Sequence, residues 1–150
     1  MRYSSIRSMD MTNGEGIGVS LFVQGCSRHC KGCFNSSTWD FQGGKLWTPE
    51  VEEKFIELCK NPHRDFVSFL GGEPFEQGEE IIRLIKRVKE ETQKTVYVWT
   101  GCKYNDLLDS IYAQAFPYIN YLIDGEYQED KKDFRLHLRG SANQHIYHLN

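Results

Sequence analysis

Three of the five cysteines fall within eight positions, at Cys26, Cys30 and Cys33 of the stretch LFVQGCSRHCKGCF, residues 21–34. Unpaired cysteine can behave as a small hydrophobe, but the intervening SRH and KG are polar and loop-like, unlike a core segment. A structural zinc site takes a full set of four ligands, commonly all cysteine or cysteine with one histidine. His29 is adjacent to Cys30 and an awkward partner in the same tetrahedron, and no second, distant Cys-x2-Cys pair is present. A redox dithiol needs only Cys30 and Cys33 and leaves Cys26 without a role. A [4Fe–4S] cube ordinarily takes four thiolates, one per iron. Three leave one iron with an open position, which is where a metal centre binds a reactant. The missing fourth thiol points to a fourth ligand from outside the protein.

Such thiols need elements to carry them, and the chain alternates short apolar runs with helical patterns. GVSLFVQG (18–25) reads as a buried strand, apolar and bounded by glycines. The helix over 48–61 has Thr48 as N-cap, Pro49 at the first helical position and acidic residues in its first turn. DFVSFLGG (65–72), TVYVWTG (95–101) and INYLIDG (119–125) read as further strands, with helices over 76–92 and 103–116 between them. FRLHLRG (134–140) reads as a last strand. This alternation predicts an α/β fold of one domain, residues 1–150, with a mostly parallel sheet forming a partial, open β/α barrel or a twisted open sheet. Four units are too few for the roughly 250 residues of a closed barrel. In either form sites are built where strands end, and Gly25, Gly71, Gly72, Gly101, Gly125 and Gly140 are expected along one rim.

Composition narrows the class. Of 150 residues, 39% are hydrophobic and 26% charged, with a formal net charge of −3. That balance disfavours a general nucleic-acid binder. No apolar run approaches the roughly 18–20 residues of a membrane span, and MRYSSIRSMDMTNGEG has no apolar secretory core. A cytoplasmic protein is expected, where clustered cysteines more often mean metal or catalysis than disulfides.

The Cys-x3-Cys-x2-Cys loop after a first strand resembles the radical S-adenosylmethionine (SAM) superfamily, and GGEPF (71–75) resembles that family's Gly-Gly-Glu-Pro segment. The resemblance narrows to activating proteins of anaerobic ribonucleoside-triphosphate reductase. It rests on GCSRHCKGCFNSSTW, VYVWTG (96–101), YLIDGEY (121–127) and RGSANQ (139–144), in the same order from about Asn13 to His148. The resemblance implies that SAM chelates the open iron and is cleaved by an electron from the cluster to methionine and a 5′-deoxyadenosyl radical. That radical then takes a hydrogen atom from a glycine of the reductase's large subunit. Reduced flavodoxin or a ferredoxin is implied as electron donor.

Carried onto this chain, the resemblance makes Cys26, Cys30 and Cys33 the cluster ligands. It sets Gly32, Cys33, Phe34, Gly71, Gly72 and Glu73 around SAM, with Phe34 near the adenine. No side chain is expected as an acid–base catalyst, since the cofactor carries the hard chemistry. Asp124 reads as a ribose or carboxylate contact or as a turn cap, and Trp99 more as core than as cofactor wall. Arg139, Ser141, Asn143 and Gln144 read as a late contribution to the site or partner surface, or as a helix cap. Lys86, Arg87 and Lys89, with nearby glutamates, read as a solvated helix face. The chain departs from the family pattern at Glu15 in NGEGIG, where proline is expected, at Cys102, where tyrosine is expected, and at Glu126, where lysine often follows Asp-Gly. An activase of another glycyl-radical enzyme, such as formate acetyltransferase, remains open. So does a zinc or iron–sulfur interaction domain that does not cleave SAM.

Overall fold

The computed structural model describes residues 1–150. Seven strands make one open, mixed sheet: β1 (Arg2–Asp10), β2 (Gly18–Val23), β3 (Lys45–Leu46), β4 (Phe66–Gly71), β5 (Thr95–Trp99), β6 (Tyr121–Asp124) and β7 (His145–His148). Their order across the sheet is β3-β1-β2-β4-β5-β6-β7. The four central strands β2, β4, β5 and β6 run parallel, while β1, β3 and β7 pair antiparallel at the two sides.

The helices form for local reasons. In α1 (Pro49–Cys59) the Thr48 hydroxyl accepts the Val51 N–H at 3.2 Å, and Pro49 occupies the first turn, where no N–H is needed. α2 (Glu79–Thr92) buries Ile81, Leu84, Ile85 and Val88, the i, i+3, i+4, i+7 stripe of a helix packed on a sheet. Alternate strand residues meet these helices: Val19, Leu21, Val23, Val67, Phe69, Val96, Val98 and Leu122 share one core with Phe55, Ile56 and Cys59. The opposite alternation, with Phe66, Tyr97, Trp99 and Ile123, faces the other side of the sheet.

Several expectations change. β1 has no sequence signature, because RYSSIRSMD lacks a clean alternation; it is held by pairing with β2 and by Tyr3 and Ile6 against the core. The helix expected over 103–116 is α3 (Tyr104–Leu108) followed by 3-10 turns over Ile111–Tyr118. Ser110 breaks it: its hydroxyl donates to the Leu107 carbonyl and accepts the Tyr112 N–H, an alternative to helical bonding. Residues 134–140 form no strand. Phe134, Leu136 and Leu138 do fall on one side, but Leu138 has φ 58° and the segment turns back instead of joining a ladder. The last strand is β7, paired with β6.

The outer side of α2 is not simply solvated. Arg87 pairs with Glu52, Glu53 and Glu91, and Arg83 grips Glu52 through two bonds of 2.7 and 2.9 Å. Glu52 is 6% exposed and also accepts the Trp47 indole N–H at 2.9 Å. The Arg83 bonds hold its carboxyl down at about 2, with burial opposing and Trp47 and Arg87 assisting. Replacing Glu52 by Gln therefore removes both charge pairing and part of a buried hydrogen-bond set, and should cost about 1–3 kcal/mol at neutral pH. Because the native carboxyl titrates below its ordinary 4.5, this contribution is complete above 4.5 and fades as pH falls toward 2. Urea unfolding of wild type and E52Q should show a gap at neutral pH that narrows in acid; a gap independent of pH would exclude this account.

Candidate cluster and cofactor site

The parallel register sets the site. Val23 on β2 lies opposite Gly71 on β4, so the chain leaving β2 toward Cys26 runs beside the chain leaving β4 toward Glu73. Two bonds continue this pairing past the strands: Gly72 N–H to the Val23 carbonyl at 2.9 Å, and Glu73 N–H to the Gly25 carbonyl at 2.8 Å. Gly71 adopts φ 113°, and a Cβ on Gly72 would meet the Gly25 carbonyl oxygen at 2.5 Å, so both positions require glycine.

The cysteine loop is closed at its base by Gly25 N–H to Thr38 O and Cys26 N–H to Trp39 O, at 2.7 and 3.1 Å. Inside it, Cys33 N–H returns to the Cys30 carbonyl at 3.1 Å, and His29 stacks on Trp39 with centroids 4.5 Å apart. All three thiols border one cavity of about 580 Å³ at the carboxyl ends of β2, β4, β5 and β6, within the roughly 300–1,000 Å³ typical of small-molecule sites. Asn35 N–H donates to Cys33 Sγ at 3.4 Å, and backbone N–H groups of Arg28 and His29 lie near Cys26 and that of Tyr127 near Cys30. Burial pushes the Cys26 and Cys30 thiols up, while these N–H groups favour the thiolates.

This arrangement fits an iron–sulfur cluster. Three thiols border one cavity without converging on a single point. A cube takes one thiolate per iron, so its ligands surround a volume instead, and N–H···S bonds tune it.

Of the remaining expected residues, Phe34, Gly71, Gly72 and Glu73 line the cavity together with Trp99, Thr100, Gly101 and Tyr127. Gly32 does not. It sits outside the cavity wall with φ 75°, against the Glu129 carboxylate. Phe34 is 58% exposed and leans on Tyr127, centroids 4.8 Å apart. Trp99 is a wall of the cavity and only half-buried, its indole N–H bonded to the Leu138 carbonyl at 2.8 Å. Asp124 is a structural cap: it accepts the Tyr104 N–H at 2.8 Å at the start of α3 and the His145 N–H at 3.3 Å. Ser141 caps no helix; its hydroxyl accepts the Gln128 N–H. The Gln144 amide binds Gly140 and Ser141 N–H groups and the Gly125 carbonyl, tying the 140–144 turn to the end of β6. Phe134, Leu136, Leu138 and Arg139 also line the cavity, as do Arg7 and Asn13, whose positions no spacing in the sequence announces.

Glu73 lines the cavity, and its carboxylate is bonded to the protein. It accepts the Thr100 hydroxyl at 2.7 Å, the Phe75 N–H at 2.8 Å and the Gly101 N–H at 2.6 Å, with Arg28 at 3.4 Å. Burial pushes its carboxyl up, and those donors work against the shift. Replacing Glu73 by Gln turns one acceptor oxygen into a donor facing donors. Thermal or urea unfolding of the apoprotein should register a loss of about 1–3 kcal/mol, and an unchanged midpoint would exclude this role for the carboxylate.

Comparisons with known proteins give the family. The family described as "4Fe-4S single cluster domain" matches residues 12–147. The chain is 38% identical over 154 residues to the anaerobic ribonucleoside-triphosphate reductase-activating protein of Salmonella typhimurium, covering 99% of each. It is 39% identical over 152 residues to the protein of that name from Vibrio cholerae, covering 98% of this chain and 97% of the relative. With the Enterobacteria phage T4 protein of the same name it shares 33% identity over 150 residues, covering 98% and 94%. With three thiols on one cavity at the strand ends and matches of this length, the chain belongs to the family of anaerobic ribonucleoside-triphosphate reductase-activating proteins, whose domain carries a single 4Fe-4S cluster.

Proposed function

We propose that this chain is a single-domain radical-SAM activase, a partial β/α barrel that binds a [4Fe–4S] cluster through Cys26, Cys30 and Cys33 and SAM at the remaining iron. The observation that carries the reading is the meeting of three thiols with the Gly71-Gly72-Glu73 turn on one cavity. Bound there, the cluster would supply the electron that cleaves SAM to methionine and the 5′-deoxyadenosyl radical.

The protein's own residues do the rest. Gly71 and Gly72 bring backbone close to the cavity, where carbonyls can receive the ammonium of SAM without a side chain intervening. Phe34, Trp99, Tyr127, Phe134, Leu136 and Leu138 give an apolar wall, and a partner seated over the open side would complete the exclusion of water from a reactive intermediate. Positioning supplies the remaining advantage, since a hydrogen-atom transfer needs the donor held within contact distance. That donor is a glycine of the large subunit of anaerobic ribonucleoside-triphosphate reductase, reached from outside through the open cavity. Reduced flavodoxin or a ferredoxin is the electron source. No helix is long and apolar enough to cross a membrane, and a cytoplasmic location suits these electron donors.

Low-temperature EPR of anaerobically reconstituted, dithionite-reduced protein should show a [4Fe–4S] signal that changes on adding SAM, followed by release of 5′-deoxyadenosine. Incubation with the reductase should then give a glycyl-radical signal on the larger chain. Replacing Cys26, Cys30 or Cys33 by Ala should each abolish the cluster, whereas Cys59→Ala, in the helical core, should retain it. A cluster indifferent to SAM would make the chain an electron carrier. Zinc in place of iron would remove the mechanism altogether.

A further inference from the structure

Arg28 lies within the cysteine loop, and its guanidinium reaches in three directions. Nη1 lies 3.4 Å from the Glu73 carboxylate and 3.6 Å from Glu76. Nη2 donates to Cys102 Sγ at 3.1 Å. Nε is 3.2 Å from the Glu126 carboxylate, a charge contact too poorly aligned to be a hydrogen bond. Glu73 and Glu76 follow β4, Cys102 follows β5 and Glu126 follows β6, while Arg28 itself follows β2. One side chain thus touches the loops after all the other central strands.

The surroundings are shaped for it. The side chain is 22% exposed, lines the cavity, and lays its stem on Gly101, where a Cβ would meet Arg28 Cδ at 2.7 Å. Ser27 reinforces the contact by giving its N–H and its hydroxyl to Glu76, at 3.1 and 2.6 Å. Cys102 and Glu126 are also two of the positions at which the sequence departs from its family pattern. Both departures meet at this guanidinium, and a lysine at 126 would instead set a second cation against it.

We propose that Arg28 is a positioning residue that pins the Cys26–Cys30 segment to the ends of β4, β5 and β6 and thereby fixes how a bound cluster sits in the cavity. This rests on the cluster-binding reading above. Geometry as well as charge carries the role: Nη1 and Nη2 hydrogen-bond in two directions while Nε faces Glu126, and a lysine ammonium can serve one of these at a time.

The test compares wild type, R28K, R28Q and E126Q, each reconstituted anaerobically with iron and sulfide. Three readouts are taken: iron loss to an added chelator, the EPR g-values of the reduced cluster, and melting of the apoprotein. Wild type must first take up the cluster; failure there sinks the cluster reading itself, independently of Arg28. R28K and R28Q should both lose iron faster, by roughly the 10–100-fold that loss of an outer-shell partner costs, and both should show shifted g-values. E126Q, at a residue 56% exposed, removes one of the contacts without touching the core and should fall between them and wild type. It decides the matter if the Arg28 variants melt well below wild type. Wild-type iron retention and g-values in R28Q, or in E126Q where R28Q does not fold, would overturn the proposal. Full restoration in R28K alone would overturn it too, by making charge the only requirement.

Discussion

A carboxylate taken out of water survives in a folded protein only where donors replace its lost hydration. Glu73 meets that condition by drawing donors from three places: its own turn after β4, through Phe75 N–H; the end of β5, through Thr100 and Gly101; and the cysteine loop after β2, through Arg28. Those backbones are thereby set relative to one another, and the cavity is the space between them. The Gly71-Gly72-Glu73-Pro74 turn consequently has two jobs on two sides. Its glycines allow the β4 chain to lie against the β2 chain, and its glutamate reaches across to β5. Pro74 adds a fixed φ at the first position of the short 3-10 turn that follows.

The order of the parallel strands explains why the site is where it is. β2, β4, β5 and β6 are neighbours in chain order, with no reversal. Crossovers of one hand that always step the same way put every connecting helix on the same face. The opposite face is left to be covered by segments outside the crossovers. Arg7, Thr12 and Asn13 from the N-terminal part and residues 134–144 from the C-terminal part do this. Asp10 anchors the first of them: burial opposes its ionisation, yet bonds from Ser20, Thr12 and Asn13 hold its carboxyl at about 2. A site built from loops and tails on one side of a rigid sheet can be open to a large partner without weakening the helical core behind it.

Legibility in the sequence follows from how local each cause is. β2, β4, β5, α1 and α2 are readable because a single run of residues carries the whole pattern, as in the buried stripe of α2 or the Thr48–Pro49 start of α1. β1 and β7 are not, because a side strand with few buried positions depends on its neighbour more than on its own alternation. The segment FRLHLRG misleads for the opposite reason. Its alternation is genuine and places Phe134, Leu136 and Leu138 along the cavity, yet alternation records a shared face and not a ladder. At the site, the thiols and Gly-Gly-Glu-Pro are readable because each motif lies within one short run of residues. Arg28 is not, since its partners come from three loops that only the folded sheet brings together.

The distribution of polarity around the cavity follows from the kind of chemistry proposed for it. Acid–base catalysis would place a titratable group with free valences beside the substrate. Here the Glu73 carboxylate is already engaged by structural donors, and aromatic and aliphatic side chains make up much of the wall beside the thiols. A reactive radical is best surrounded by groups that neither donate protons nor admit water, and it needs distance and direction more than charge. The hydrogen bonds that fix the loops therefore also occupy the one carboxylate that lines the cavity. For a protein whose cofactors carry the bond-breaking step, the requirement for stability and the requirement for control are met by the same bonds.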